Sequence, residues 1–493
     1  MEKVKSIDAK VREEIMSTLD RLGGLTVEAD SLTFQGDRIV LPASMEGDVQ
    51  GAITFLEDWR EQQERSFEYS RTYAFRPDDG AAAFDRAMRL VFGTSGIGRA
   101  TFTMFGVQPP ELRTIPVGVG RTIQVPWGRV SFGPLGATFE VGATGGRNGP
   151  RFHLSVSAPR KHRRRIEGFF DMVQRELESQ SIYRGQAITG GMQPEYVDVS
   201  TVDPARVVYS AETLRQLDAN LWTLLEHTEA MRALGIPLKR AVLVEGPYGT
   251  GKTLAGALTA QRAVANGWTY VICRPGQDDL MTTLETAKLY APAVVWFEDI
   301  DIIGGADGSS MFLSRLLDAL DGMMAKGTEV IAGFTTNHVE RLQKGLLRPG
   351  RIDTVIHIGE LDEPGIRRLV EVVIPSNLLA EGIDWASVAT AFRGYVPAFA
   401  REAIDRALRY SISRNDGQLL PVNTVDLVSA AEGLRAQHKI MNEAAESEAR
   451  TTIEGILTDR VEEVLSRAVP VGWHDALEIQ ERDVATVGHD NGN

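Results

Sequence analysis

Apolar residues recur at two different periods along this chain, and the period changes with position. Val4, Ile7, Val11, Ile15, Leu19 and Leu22 share one helical face. Val49, Ile53 and Leu56 predict a second helix, and Phe84, Ala87, Met88 and Val91 a third. Between about residues 101 and 157 glycine and proline become frequent and short β-type runs appear. Arg113–Ile115, Arg121–Val125, Ala137–Val141 and Phe152–Val156 predict a small sheet of strands and turns. Ile166, Phe169, Phe170, Val173 and Leu177 then return to helical spacing. Farther on, Ala241–Val244, Thr269–Cys273, Val294–Phe297 and Glu329–Phe334 are apolar runs of strand length. Such runs fit strands buried on both faces of a parallel sheet. After residue 361 the pattern is helical: residues 364–374, residues 397–413, and a helix opening at Thr424, a candidate cap. A charged helix is expected over 443–468, and the tail 483–493 has the composition of a disordered segment.

Chemistry concentrates behind the first of the apolar runs. Gly246-Pro247-Tyr248-Gly249-Thr250-Gly251-Lys252-Thr253 fits G-x-x-x-x-G-K-[ST], and Leu254 opens the helix behind it. Strand, glycine loop and helix stand in the order that a phosphate-cradling loop requires. Backbone N–H groups and the helix N-terminus would converge on a nucleotide's phosphates. Lys252 would reach the β- and γ-phosphates, and the Thr253 hydroxyl would hold Mg²⁺. A second signal is the strand run that ends in Glu298-Asp299-Ile300-Asp301. Carboxylates at the carboxyl end of a parallel strand point into the ligand crevice. One can hold the Mg²⁺ through its water shell, and the other can orient the attacking water.

These blocks together resemble a AAA ATPase of the protein-remodelling kind, from about Val202 to about Asn442. Leu234–Pro237 leads into the P-loop strand as in that family. Leu316–Gly322 matches the helix before the sensor strand, Thr336-Asn337 the first sensor, and Arg348-Pro349-Gly350-Arg351 the arginine-finger segment. The resemblance implies that Asn337 helps place the water. It implies that Arg348 and Arg351 project into the ATP site of a neighbouring subunit. An arginine acting in trans demands a homo-oligomeric ring, in this family usually a hexamer. The implied fold is an α/β P-loop NTPase core, a parallel sheet between helices. A small C-terminal helical lid follows it, and an α+β N-terminal domain precedes it. The implied boundaries are 1–185 for an N-terminal substrate or adaptor domain, 186–200 for a linker and 201–360 for the ATPase core. The lid takes 361–442, and a C-terminal helix and tail 443–493. The β-rich stretch, its following helix and Ser181–Gly185 also resemble the region ahead of the ATPase in the mitochondrial Rieske-protein translocase subfamily, without its membrane span.

Three departures stand beside the matches. The acidic pair is reversed from the family's usual Asp-Glu, which puts Glu298 at the metal position and Asp299 at the water position. The residues alone leave open which of the two is the base. Arg274–Met281, at the central-pore position, contains no aromatic residue, and Gly394–Ala398 carries no sensor arginine.

Composition narrows the remaining choices. A formal net charge of −14 argues against general nucleic-acid affinity. The basic run Arg160–Arg165 reads first as a solvated helix start, although it keeps a nucleic-acid motor or loader as a rival function. The reversed acidic pair keeps a second rival, an ATP-dependent assembly scaffold of low turnover. One cysteine, Cys273, excludes an internal disulfide and reads as a packing residue. Gly93–Gly98 imitates a dinucleotide turn, but it follows a helical pattern instead of a strand. No apolar run is long enough to span a membrane and Met1–Lys5 does not begin a signal peptide, so a cytoplasmic protein is expected. The expectation is thus an ATP- and Mg²⁺-dependent, ring-forming ATPase that remodels or translocates a protein partner.

Overall fold

The computed structural model describes residues 33–35, 38–40, 49–93, 101–103, 106–108, 111–146, 149–274, 276–300, 329–339, 342, 351–415, 418 and 420–440. The helices expected over 4–22, 316–322 and 443–468, the tail 483–493, and Asp301 and Arg348 lie outside these residues. Two compact units form, residues 1–360 and 361–493.

In the N-terminal part, β1 (Thr33–Gln35) and β2 (Arg38–Val40) pair antiparallel. After β3 (Ser66–Thr72) come two further antiparallel ribbons. They are β4 (Thr101–Thr103) with β5 (Gly106–Gln108), and β6 (Leu112–Gly118) with β7 (Arg121–Pro126). β8 (Gly128–Phe132), β9 (Ala137–Thr144) and β10 (Arg151–Pro159) join β3 in a four-stranded antiparallel sheet ordered β3-β10-β9-β8. Along β10, Phe152, Leu154, Val156 and Ala158 are buried while their neighbours are not, the alternation of a sheet with one dry face. That face packs on two helices, Pro77–Phe92 and Arg163–Ser179. Phe84, Phe139 and Phe169 meet there ring to ring, with centroids 5.3–5.7 Å apart. Pro77 opens the first helix with Asp78 and Asp79 in its first turn. Gly93 closes it at φ 68, donating its N–H to the Arg89 carbonyl. The dinucleotide-like glycine turn therefore begins as a helix cap. Arg163, Arg164 and Arg165 are exposed on the second helix, and Lys161 pairs with Glu64.

The core sheet contains β11 (Ala187–Thr189), β12 (Arg240–Glu245), β13 (Thr269–Cys273), β14 (Ala293–Phe297), β15 (Val330–Thr336) and β16 (Thr354–His357). All six run parallel, in the order β11-β13-β14-β15-β12-β16. Every residue of β14 and β15 is buried, which accounts for their unbroken apolar runs. Alternate residues feed two separate cores. Val242, Val244, Val294, Trp296 and Ile331 face the helix Lys252–Ala265 and Trp222. Val271, Val295, Phe297, Ala332 and Phe334 face the helix Leu280–Leu289.

This second core does not stop at the sheet. It is continuous with the aromatic core of the N-terminal part. Phe75 and Tyr183 both pack on Tyr290. The Arg76 guanidinium reaches across to donate to Thr286 Oγ1 at 2.7 Å. Asp79, wholly buried, accepts from the Ser181 hydroxyl at 2.7 Å and the Ile182 N–H at 2.9 Å.

In the second unit, the helices Glu363–Val373, Trp385–Phe392 and Pro397–Arg414 are followed by a helix over 424–440. The cap of the last is Asn423, one residue before the expected Thr424. Asn423 Oδ1 accepts from the Asp426 N–H, and Asp426 Oδ2 accepts from the Asn423 N–H. This reciprocal pair satisfies two N-terminal donors at once. Thr424 instead uses its hydroxyl to accept from the Asp384 N–H.

Candidate active site

The phosphate-binding sequence occupies the turn between β12 and the helix Lys252–Ala265. Gly246, Gly249 and Gly251 have φ of 154°, 79° and 99°, values that side chains resist. Gly246 has a second reason to be glycine: a Cβ there would lie 2.1 Å from the Ile358 carbonyl oxygen. Thr250 is buried, and its hydroxyl donates to the Pro247 carbonyl at 2.9 Å. Lys252 Nζ donates to the carbonyls of Gly246 and Pro247 at 2.8 and 2.9 Å, which sets the ammonium against the loop. Tyr248 is exposed, its ring edge-on to His338 with centroids 6.2 Å apart. Gly251 is the N-cap, so the first N–H groups of the helix, beginning with Lys252, have no carbonyl of their own helix to meet.

The acidic pair follows β14, whose last residue, Phe297, stacks on Phe334 of β15 at 5.2 Å. The Thr253 side chain lies beside the Glu298 carboxyl. Burial first, and the Asp299 charge second, raise the Glu298 carboxyl above its usual range, while the Thr253 side chain opposes them. Asp299 adopts φ 47°, the positive φ found at a non-glycine residue among the described residues. Aspartate is among the few side chains that tolerate this region. Its N–H donates to Thr335 Oγ1 at 2.8 Å, and its Oδ1 accepts from Asn337 Nδ2 at 3.0 Å. Thr335 follows the apolar run Glu329–Phe334 and carries no motif of its own; the structure makes it the residue that pins the Asp299 backbone.

Lys252, Thr253, Glu298, Asp299 and Asn337 thus gather where β12, β14 and β15 end. Strand order explains this, because β15 lies between β12 and β14. Arg351 is elsewhere. It sits in the turn before β16, two residues from Asp353, which exchanges hydrogen bonds with Ala241 at the start of β12 (2.8 and 2.9 Å). The P-loop begins at the far end of β12, about 15 Å away at the usual rise per strand residue. Cys273 is buried, and burial pushes its thiol up to about 11, so it is a packing residue. Among the described residues no group of three or more His, Cys, Asp or Glu could hold a metal ion. A Mg²⁺ needs no such group. It keeps most of its waters and takes one or two hard oxygen ligands, and the neighbouring Thr253 hydroxyl and Glu298 carboxylate offer that pair.

Comparison with known proteins agrees with this geometry. Residues 242–360 match the model of the ATPase family associated with various cellular activities (AAA). The chain is similar to the ATP-dependent zinc metalloprotease FtsH of Lactococcus lactis, 29% identical over 46% of this chain and 34% of the relative. It is also similar to the cell division cycle protein 48 homolog of Archaeoglobus fulgidus, 28% identical over 51% of this chain and 35% of the relative. A third relative is the ATP-dependent zinc metalloprotease YME1 homolog of Schistosoma mansoni, 29% identical over 46% of this chain and 36% of the relative. The chain spans about a third of the length of the curated relatives it matches. No H-E-x-x-H pair occurs among its eight histidines, so the metalloprotease part of two of those names has no counterpart in this sequence. The matched residues, the parallel sheet and the glycine loop at its edge lead to one conclusion: residues 242–360 are a AAA-family ATPase domain.

Proposed function

We propose that this chain binds ATP with Mg²⁺ at the ends of β12, β14 and β15 and hydrolyses it as one subunit of a homo-oligomeric ring, most simply a hexamer. The observation that carries the proposal is the chain of contacts Thr253–Glu298, Asp299–Asn337 and Asp299–Thr335 beside Lys252. Residues 246–254 hold the phosphates through N–H groups, and Lys252 adds a positive charge. When bound, Mg²⁺ neutralises charge on the phosphate oxygens. Thr253 and Glu298 would hold it. Asp299 orients the attacking water and receives its proton, and Asn337 and Thr335 keep that carboxylate aimed. Glu298 is assigned to the metal because its carboxyl neighbours the Thr253 side chain, and Asp299 to the water because Asn337 and Thr335 fix it. Arg351 lies beside the start of β12, at the opposite end from its own P-loop, which suits an arginine that serves a neighbour's ATP. Arg348 is proposed for the same work.

The ring's output acts on a protein partner gripped by the N-terminal part, residues 1–185. Residues 201–360 supply the motor and 361–442 the lid. Among the described residues no helix is long and apolar enough to cross a membrane. A cytoplasmic site of action belongs to the proposal. The test is phosphate release by the purified chain with MgATP, set beside Asp299→Asn. The variant should bind ATP and release phosphate ~10²-fold more slowly, the usual scale for a lost positioned base. The same variant, held in ATP, should retain the protein partner in a pull-down. Equal turnover in the two proteins would refute the assignment of the base.

A further inference from the structure

Tyr209 stands outside every motif of the sequence, yet it touches the phosphate-binding loop. It lies just before the helix Ala211–Leu217, whose cap Ser210 accepts from the Thr213 N–H at 3.2 Å. The Thr213 hydroxyl in turn donates to the His357 carbonyl at 3.3 Å, and Val207 and Tyr209 join the core around Val242 and Val244. The segment is therefore anchored to the sheet independently of the loop. The Tyr209 ring is 5% exposed and covers Gly251, where a Cβ would lie 3.3 Å from Cε1. Its hydroxyl donates to the Gly251 carbonyl oxygen at 2.7 Å. Burial raises the hydroxyl's pKa, so it remains a donor at any working pH.

The Gly251 carbonyl also accepts the Ala255 N–H at 3.0 Å, the first bond of the P-loop helix. Both of its lone pairs are then engaged. The Gly251 C=O and the Lys252 N–H belong to one planar trans peptide and point in opposite directions. Donors on the carbonyl side therefore aim the N–H on the other side. Gly251 has φ 99°, and a glycine confers little stiffness on that plane by itself. An outside restraint is needed, and Tyr209 supplies one.

We infer that Tyr209 is a positioning residue for the nucleotide: its hydroxyl fixes the peptide plane that presents the Lys252 N–H to the phosphates. The inference rests on the nucleotide site proposed above. Backbone N–H groups of such a loop serve the α- and β-phosphates, which ADP and ATP share. Tyr209→Phe keeps the ring and deletes one hydrogen bond. Calorimetric titration should show the Kd values for MgADP and MgATP rising together, roughly three- to tenfold, the scale of one such bond. The kcat at saturating ATP should stay within about twofold, and the unfolding midpoint without nucleotide within about 2 °C. Unchanged Kd values for both nucleotides would overturn the inference. So would a fall in kcat or in the unfolding midpoint with no change in affinity, since either would assign the hydroxyl to chemistry or to packing alone. If the wild-type chain bound neither nucleotide, the proposed site itself would fail, and the inference with it.

Discussion

Asp299 is held by three constraints: a left-handed backbone, a threonine on its N–H and an asparagine on its carboxylate. A glutamate there would carry its charge one methylene past the point that Asn337 fixes. The double swap Glu298→Asp plus Asp299→Glu, which restores the family order, should therefore hydrolyse ATP more slowly than wild type in a steady-state assay. A faster double variant would mark the native order as a handicap and favour a low-turnover scaffold. Lys252→Ala should abolish ATP binding in equilibrium titration while far-UV circular dichroism stays unchanged. Away from the site, Asp79 governs a pH effect. Burial raises its carboxyl to about 6, against the bonds from Ile182 and Ser181. Below about pH 4 the folded and unfolded chains are both protonated there. As pH rises to 6 the unfolded chain ionises first, so stability is lost across that window, on the order of 3 kcal/mol, and the loss is complete above it. Asp79→Asn should be the more stable protein in urea at pH 8, with its advantage shrinking as the pH approaches 4.

At the scale of elements, the P-loop helix and the sheet meet around one indole. Trp296 is fully buried between Gly256 and Gly333, where an added Cβ would lie 2.6 Å and 2.2 Å from its ring. Gly333→Ala should cost about 1–3 kcal/mol in denaturant unfolding, the scale of overpacking. Combining it with Trp296→Leu should cost less than the sum of the two single changes, because each relieves the other. Long signals of this kind were readable beforehand. The runs Ala241–Val244 and Val294–Phe297 announced buried strands, and the spacing from Ile166 to Leu177 announced the helix that carries it. Short ones were not. Ala187–Thr189 forms the edge strand β11 inside the expected linker, and three residues are too few to show a period. The cap Asn423 was hidden because its partner Asp426 is three residues on, and a threonine stands between them as a plausible rival. Thr335 and Tyr209 act through backbone atoms of other segments, a relation that no local motif records.

At the scale of the whole molecule, Arg351 lies near the start of β12, the end opposite to the phosphate-binding loop. Mixing wild-type subunits with Arg351→Ala subunits should depress phosphate release more steeply than the mutant fraction, since each altered subunit would disable a neighbour. A strictly proportional decline would remove Arg351 from that role. The N-terminal part and one face of the core sheet bury their side chains in common, with Arg76 reaching Thr286 and Phe75 lying on Tyr290. This sharing bears on descent as well as on folding. A domain that rests on its neighbour's floor cannot be exchanged for another by a simple genetic join. Recombination near residue 185 would strip the outer side of the helix Leu280–Leu289 and leave tyrosines and threonines shaped for a lost companion.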